Sequence, residues 1–187
     1  MAALLRAMGI SIHTGWAACV VVGGSLKKPE IVKNEVVEIL GDAERFCFHR
    51  AAEMERGAAR KWIADVRAKA IANARQALAP LVASDVEACA IVAKDGDPGD
   101  LDEILAAHRR IHTAEGCFFR DVFREACSVP VHLVPPATLD PSSVGKIAPP
   151  PWGKDQRLAA LAAWTVINPT PDRPREASRP AAGARRA

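Results

Sequence analysis

Two histidines and a glutamate follow one another at helical spacing in the second half of the chain. His108, His112 and Glu115 stand at positions i, i+4 and i+7, so a helix places them on one face. That face also carries an apolar stripe, where three polar side chains are unusual. They could bind a transition metal, form a polar pocket, or simply pack with each imidazole bonded to a backbone carbonyl or to Glu115. The sequence leaves these three interpretations open.

A second polar group surrounds a tight turn near the N-terminus and consists of Ser11, His13 and Thr14. Ser11 and His13 are two residues apart, so in a strand both would point to one side. A serine next to a histidine base could act as a nucleophile. A polar turn without any chemistry explains the same residues, and both interpretations stay open.

Acidic side chains complete the candidate set. Asp95, Asp97 and Asp100 lie in one loop, where they could bind a metal or phosphate group weakly, or could form turns and cap a helix. Asp155 stands in the first turn of a predicted final helix. The helix dipole alone favours a carboxylate there, so this residue also has a structural as well as a functional interpretation.

The hydrophobic pattern predicts the elements that position these residues. Strands are predicted over residues 8–13, 16–22, 31–40, 86–92 and 130–134, and helices over 43–55, 58–78, 100–126 and 153–167. The order predicts an α/β fold in which three antiparallel strands are followed by parallel strands, with helices on both faces of the mixed sheet. Residues 1–7 are expected to be an N-terminal extension, 8–167 the domain and 168–187 a disordered tail rich in Arg and Pro.

Composition and charge narrow the classes of function. The net charge of +3 resides in residues 168–187, where five arginines face two acids, so residues 1–167 are neutral. No apolar run is long enough to span a membrane, and the N-terminus lacks a secretory signal, so a cytoplasmic protein is expected. The five cysteines contain no CxxC pair, which favours reduced core residues over a zinc site or a disulfide framework.

Two short motifs carry a resemblance to a known family. Gly9-Ile10-Ser11 and Thr14-Gly15-Trp16-Ala17 resemble the opening of the RuvC-type Holliday junction resolvases of the ribonuclease H-like superfamily. The resemblance implies an acid on the first strand, beside a glycine turn that lets a phosphate approach, and a lysine in a late loop, where Lys146 stands. It also implies metal-dependent phosphodiester cleavage with two cations held by carboxylates.

The residues of this chain depart from that pattern. Ser11 stands in place of the first acid, and Ala93 and Lys94 stand where the fourth strand should end in another; of the family's acids, only Asp155 has a match. We therefore expect a degenerate nuclease that binds nucleic acid or serves as an assembly module, with no membrane partner and with a homodimer left open. The alternative is a divergent nuclease that rebuilds a Mg²⁺ or Mn²⁺ site from Asp95 or Asp97, Glu115 and Asp155.

Overall fold

The computed structural model describes residues 6–25, 28–83, 85–94, 96–139 and 152–167. Asp95, Lys146 and the tail over residues 168–187 lie outside the described residues, so the predictions made for them stay predictions. Among the helices that are described, none is both long enough and apolar enough to cross a membrane.

Five strands form one sheet: β1 (Ala7–His13), β2 (Trp16–Ser25), β3 (Lys28–Glu38), β4 (Ala88–Val92) and β5 (Val131–Val134). Their order is β3-β2-β1-β4-β5, in which β1 to β3 pair antiparallel while β4 and β5 run parallel to β1. This topology confirms the predicted mixed sheet, in which three antiparallel strands are followed by parallel strands.

The helices are α1 (Asp42–Arg45), α2 (Cys47–Ala52), α3 (Arg56–Val82), α4 (Leu101–Ala106), α5 (His108–Ala126) and α6 (Lys154–Ile167). A short 3-10 helix covers Pro136–Thr138. All lie close to the predicted segments, but two predicted helices are each divided. The chain bends at Phe46 between α1 and α2, and at Ala107 between α4 and α5, where the backbone is extended.

Helix α4, before the break at Ala107, contacts other helices. Arg56 on α3 forms a 2.7 Å ion pair with Asp102 on α4, and α4 also packs on α2. Helix α5 begins at His108 and packs on α3 and β1. The prediction of a single helix over residues 100–126 was therefore wrong at Ala107.

Helices cover both faces of the sheet, and alternate side chains of β1 point towards different helices. Met8 and Ile10 point into the larger core beneath α3 and α5, whereas Ala7 points into a second core formed with α6. The α6 side of that second core is made mostly of small alanines, which lets the helix lie close to the sheet. Ser11 and His13 are an even number of residues from Ala7, so their side chains point to the same face of the sheet, towards α6.

The cysteines behave as core residues. All five are free thiols; four are buried and Cys127 is half-buried. Burial raises the pKa of the Cys47 thiol to about 12, and the nearby Glu115 carboxylate adds to that increase. A thiol that stays protonated at neutral pH is neither a good nucleophile nor a good metal ligand.

Candidate functional site

Asp155 is held by two side chains from the first strand. The Ser11 hydroxyl donates to Asp155 Oδ1 at 3.2 Å, and His13 Nε2 lies 2.8 Å from the same oxygen. Strand alternation aims both residues at α6, where Asp155 occupies the first turn. Ser11 is only 5% exposed, so its hydroxyl needs a partner inside the protein, and Asp155 is that partner.

The geometry is not that of an activated nucleophile. His13 and Ser11 both bond to Asp155, whereas a nucleophilic serine passes its proton to the histidine. The His13 ring is also stacked on Trp16, with centroids 4.2 Å apart and planes 3° from parallel. This stacking orients the imidazole towards Asp155, so the arrangement holds the carboxylate in place.

The segment that precedes α1 packs against the glycine turn that follows β1. Gly15 has a φ of +85°, and a Cβ atom built on it would lie 2.9 Å from the Leu40 carbonyl oxygen. The Gly15 carbonyl accepts hydrogen bonds from the Ile39 and Leu40 amides. The chain that leads into α1 therefore occupies the space in which the family resemblance implied that a phosphate would approach.

The described residues do not fit a pair of divalent cations. Such a site needs several charged oxygen ligands around two metal ions. Ser11 is neutral, Lys94 brings a positive charge to the end of β4, and two donors already engage Asp155 Oδ1. These side chains therefore do not support a site in which carboxylates hold two metal ions.

A cavity of about 520 Å³ opens at the carboxyl edge of β1 and β4, and we call it the edge cavity. Its titratable and charged lining residues are His13, Lys94, His112, Glu115, Cys117 and Arg120. Thr14 also lines it, so four of the predicted pocket residues meet here. The other two diverge: Ser11 turns to Asp155, and His108 lies outside the cavity lining.

Glu115 is buried at the inner face of α5, with 3% of its surface exposed. Its Oε1 lies 2.8 Å from His49 Nδ1 on α2. The helical spacing predicts that Glu115 pairs with His112 or with a group on the first turn, and the structure gives His49 instead. A buried carboxylate had to find a partner, but no local pattern could show that α2, more than 60 residues earlier, would supply it.

His49 also brings a third imidazole to the two already predicted. The rings of His49, His108 and His112, which we call the histidine cluster, have centroids 4.6–5.2 Å apart. Nε2 of His108 and Nε2 of His112 approach to 3.1 Å. His108 and His112 are exposed, while His49 is half-buried between Glu115 and its two neighbours.

The candidate acids do not gather at one point. Glu115 belongs to α5 on one face of the sheet, and Asp155 to α6 on the other. Asp97 accepts a bond from the Gly99 amide, and Asp100 caps α4 through the Glu103 amide, so both have the structural roles weighed above. Within the described residues, which leave out Asp95, the group with metal-ligand spacing is the histidine cluster.

The positive charges of α3 are paired. Arg60, Lys61, Arg67 and Lys69 have acidic partners at Asp102, Asp65, Glu125 and Glu44. The six cations of α3 share four acids, because Asp102 and Glu125 each face two arginines, so these ion pairs reduce the positive charge available to a nucleic acid without cancelling it. Lys94, at the end of β4, makes no ion pair with any described residue.

Comparisons with known proteins give a likeness of fold only. No family model matches the sequence, and no curated protein does. Among solved structures, Thermus thermophilus RuvC in complex with a Holliday junction substrate shares 17% identity at a TM-score of 0.47, covering 86% of this chain and 91% of that one. Another structure of Thermus thermophilus RuvC shares 15% identity at a TM-score of 0.45, covering 86% and 92%.

Proposed function

We propose that this chain is a non-catalytic ribonuclease H-like domain that binds nucleic acid at the edge cavity. The observation that carries the proposal is that both Ser11 and His13 contact the Asp155 carboxylate. An imidazole nitrogen and a hydroxyl already contact one oxygen of that carboxylate, so part of its hydrogen-bonding capacity is met by side chains of this chain and not by a metal ion. In this proposal the domain has a ribonuclease H-like fold, and Asp155 has a structural role.

The position and charge of the edge cavity support nucleic acid as the ligand. In open α/β sheets, ligands bind outside the carboxyl ends of the strands, and the edge cavity lies there. Lys94 lines it and can contact phosphate oxygens, while Arg120, which also lines it, forms a 3.0 Å ion pair with Asp121. The five arginines of residues 168–187 would add a second, sequence-independent contact to an otherwise neutral chain.

The purified protein is expected to show no Mg²⁺- or Mn²⁺-dependent cleavage of four-way junction, duplex or single-stranded DNA. The reason is that Ser11 stands where the family resemblance implies an acid and that Ser11 and His13 already engage Asp155 Oδ1, whereas hard cations need several charged oxygen ligands. End-labelled substrates on denaturing gels would measure cleavage, with Asp155→Asn as the control. Metal-dependent cleavage by the parent that disappears in Asp155→Asn would favour the divergent nuclease instead.

Binding is expected to depend on Lys94 and on the tail. Lys94→Ala should weaken binding and reduce the slope of log K against log salt by about 0.9 for duplex DNA, as for one lost phosphate contact. Lys61→Ala is the matched control, because Lys61 is exposed on α3 and already paired with Asp65 at 2.6 Å. Deleting residues 168–187 should flatten the slope further, in proportion to the arginines that contact phosphate.

Fluorescence anisotropy at several salt concentrations would measure both effects. An equal loss in Lys94→Ala and Lys61→Ala would place the contact elsewhere than the edge cavity. Absence of binding to every nucleic acid, together with self-association in sedimentation experiments, would favour the assembly module and a homodimer.

A further inference from the structure

The histidine cluster is formed by residues from two helices and is separate from Asp155. His108 and His112 stand one turn apart on α5, and His49 reaches them from α2. One nitrogen from each ring lies within 4.8 Å of the others. Imidazole nitrogens are common ligands of transition metals, and three of them this close together can bind one ion.

The spacing suits a metal with short nitrogen bonds. A Zn–N bond of about 2.0–2.1 Å at tetrahedral angles puts ligand nitrogens about 3.3 Å apart. The two Nε2 atoms on α5 already lie 3.1 Å from each other. Because His108 and His112 are exposed, their side chains can turn towards His49 without disturbing the core.

Glu115 supplies the outer partner that metal-binding histidines usually have. Its buried carboxylate contacts His49 Nδ1 at 2.8 Å, which leaves His49 Nε2 as the nitrogen free to bind a metal. A carboxylate on the far nitrogen fixes the tautomer and makes the imidazole a better ligand. A bound cation would also offset the charge of an acid that is 3% exposed.

We propose that His49, His108 and His112 bind a divalent transition metal of the Zn²⁺ class, with Glu115 orienting His49. Three protein ligands leave a fourth coordination position, which faces solvent on the exposed side of His108 and His112. His112 and Glu115 also line the edge cavity, so the metal would lie at one wall of it. This site does not depend on the nucleic-acid proposal, because its ligands can be tested with metal alone.

Metal binding can be measured on the full chain with Zn²⁺ in a competition titration and with Co²⁺ by visible absorption. We expect one equivalent to bind, with the d–d bands of a four-coordinate Co²⁺ and without the charge-transfer band of a thiolate ligand. Protons compete for the same nitrogens, so the affinity should fall as the pH is lowered. A thiolate band would overturn the proposal by moving the metal to a cysteine.

Four histidine variants separate this site from chance binding. His108→Gln and His112→Gln change exposed positions and should fold normally, while His49→Asn keeps a donor near Nδ1 for Glu115 and removes Nε2. Each should reduce affinity by more than the roughly 10–100-fold typical of losing an outer partner. His132→Gln is the control, because His132 is exposed on β5 outside the cluster and should leave affinity unchanged.

Glu115→Gln tests the outer partner directly. It should lower Zn²⁺ affinity by about 10–100-fold while circular dichroism shows an intact fold. Zn²⁺ should raise the melting temperature of the parent and of His132→Gln, because a ligand that binds only the folded state stabilises it. Equal Zn²⁺ affinity in the parent, His108→Gln and His112→Gln, or no binding by the parent, would overturn the proposal.

Discussion

Replacing Gly9 with alanine is expected to destabilise the domain by about 3 kcal/mol or more, at the upper end of the range for overpacked cores. A Cβ atom at this position would lie 1.7 Å from the carbonyl oxygen of Ala159 and 3.0 Å from the amide nitrogen of Ala163. Both are backbone atoms of α6, so the whole helix must move. The movement would also pull Asp155 away from Ser11, since the two residues sit at the same end of this helix–strand contact.

Urea denaturation would measure the loss, and the chain offers two controls. Gly116→Ala should stabilise the protein by about 1 kcal/mol, because Gly116 is within α5 and an added Cβ would meet nothing within 4 Å. Ala159→Gly should not rescue Gly9→Ala, since the clash is with a carbonyl and not with a side chain. Parent-like stability of Gly9→Ala would mean that α6 lies farther from β1 than described.

Placing an acid on the first strand is expected to lower the stability of the domain. Ser11→Asp would place a second carboxylate against Asp155, whose Oδ1 lies 3.2 Å from the Ser11 hydroxyl. Two like charges about 4 Å apart cost about 4 kcal/mol at an effective dielectric constant of 20. His13 offsets part of this cost, so we expect a loss of several kcal/mol at neutral pH, and a smaller loss in acid, where one carboxyl group is protonated.

Ser11→Asn is the matched control for that variant, because asparagine has the shape of aspartate without its charge. It should retain a donor towards Asp155 and lose far less stability than Ser11→Asp in the same thermal and urea experiments. If the two variants were equally stable at neutral pH, the Ser11 and Asp155 side chains would not face each other. That contact would then no longer keep a catalytic cation away from Asp155.

The two polar centres of the domain have different surroundings. Asp155 contacts Ser11 and His13 of β1 on the α6 side of the sheet, while Glu115 contacts His49 on the α5 side. A carboxylate engaged by a hydroxyl and an imidazole has little need of a metal. In the histidine cluster, by contrast, three imidazoles lie close together and Glu115 contacts Nδ1 of His49. Because imidazoles are metal ligands and the carboxylate can orient one of them, we propose metal binding for the histidine cluster and not for Asp155.

Local patterns were sufficient for much of the fold. The strands and the long helices were predicted within a few residues because alternation and helical periodicity are properties of short segments. The strand order followed from connection rules applied to those segments. The breaks at Phe46 and Ala107 were missed, because no glycine or proline stands at either position to mark the end of a helix.

The sequence by itself determined which residues had chemistry to offer and which side of an element they occupy. Strand alternation placed Ser11 with His13, and helical spacing placed His108 with His112, since both relations follow from backbone geometry. Only the tertiary structure decided their partners. Asp155 meets β1 because Gly9 lets α6 lie against the sheet, and His49 meets Glu115 because α2 packs on α5. Those contacts join residues 66 to 144 positions apart, and no spacing rule along the chain reaches that far.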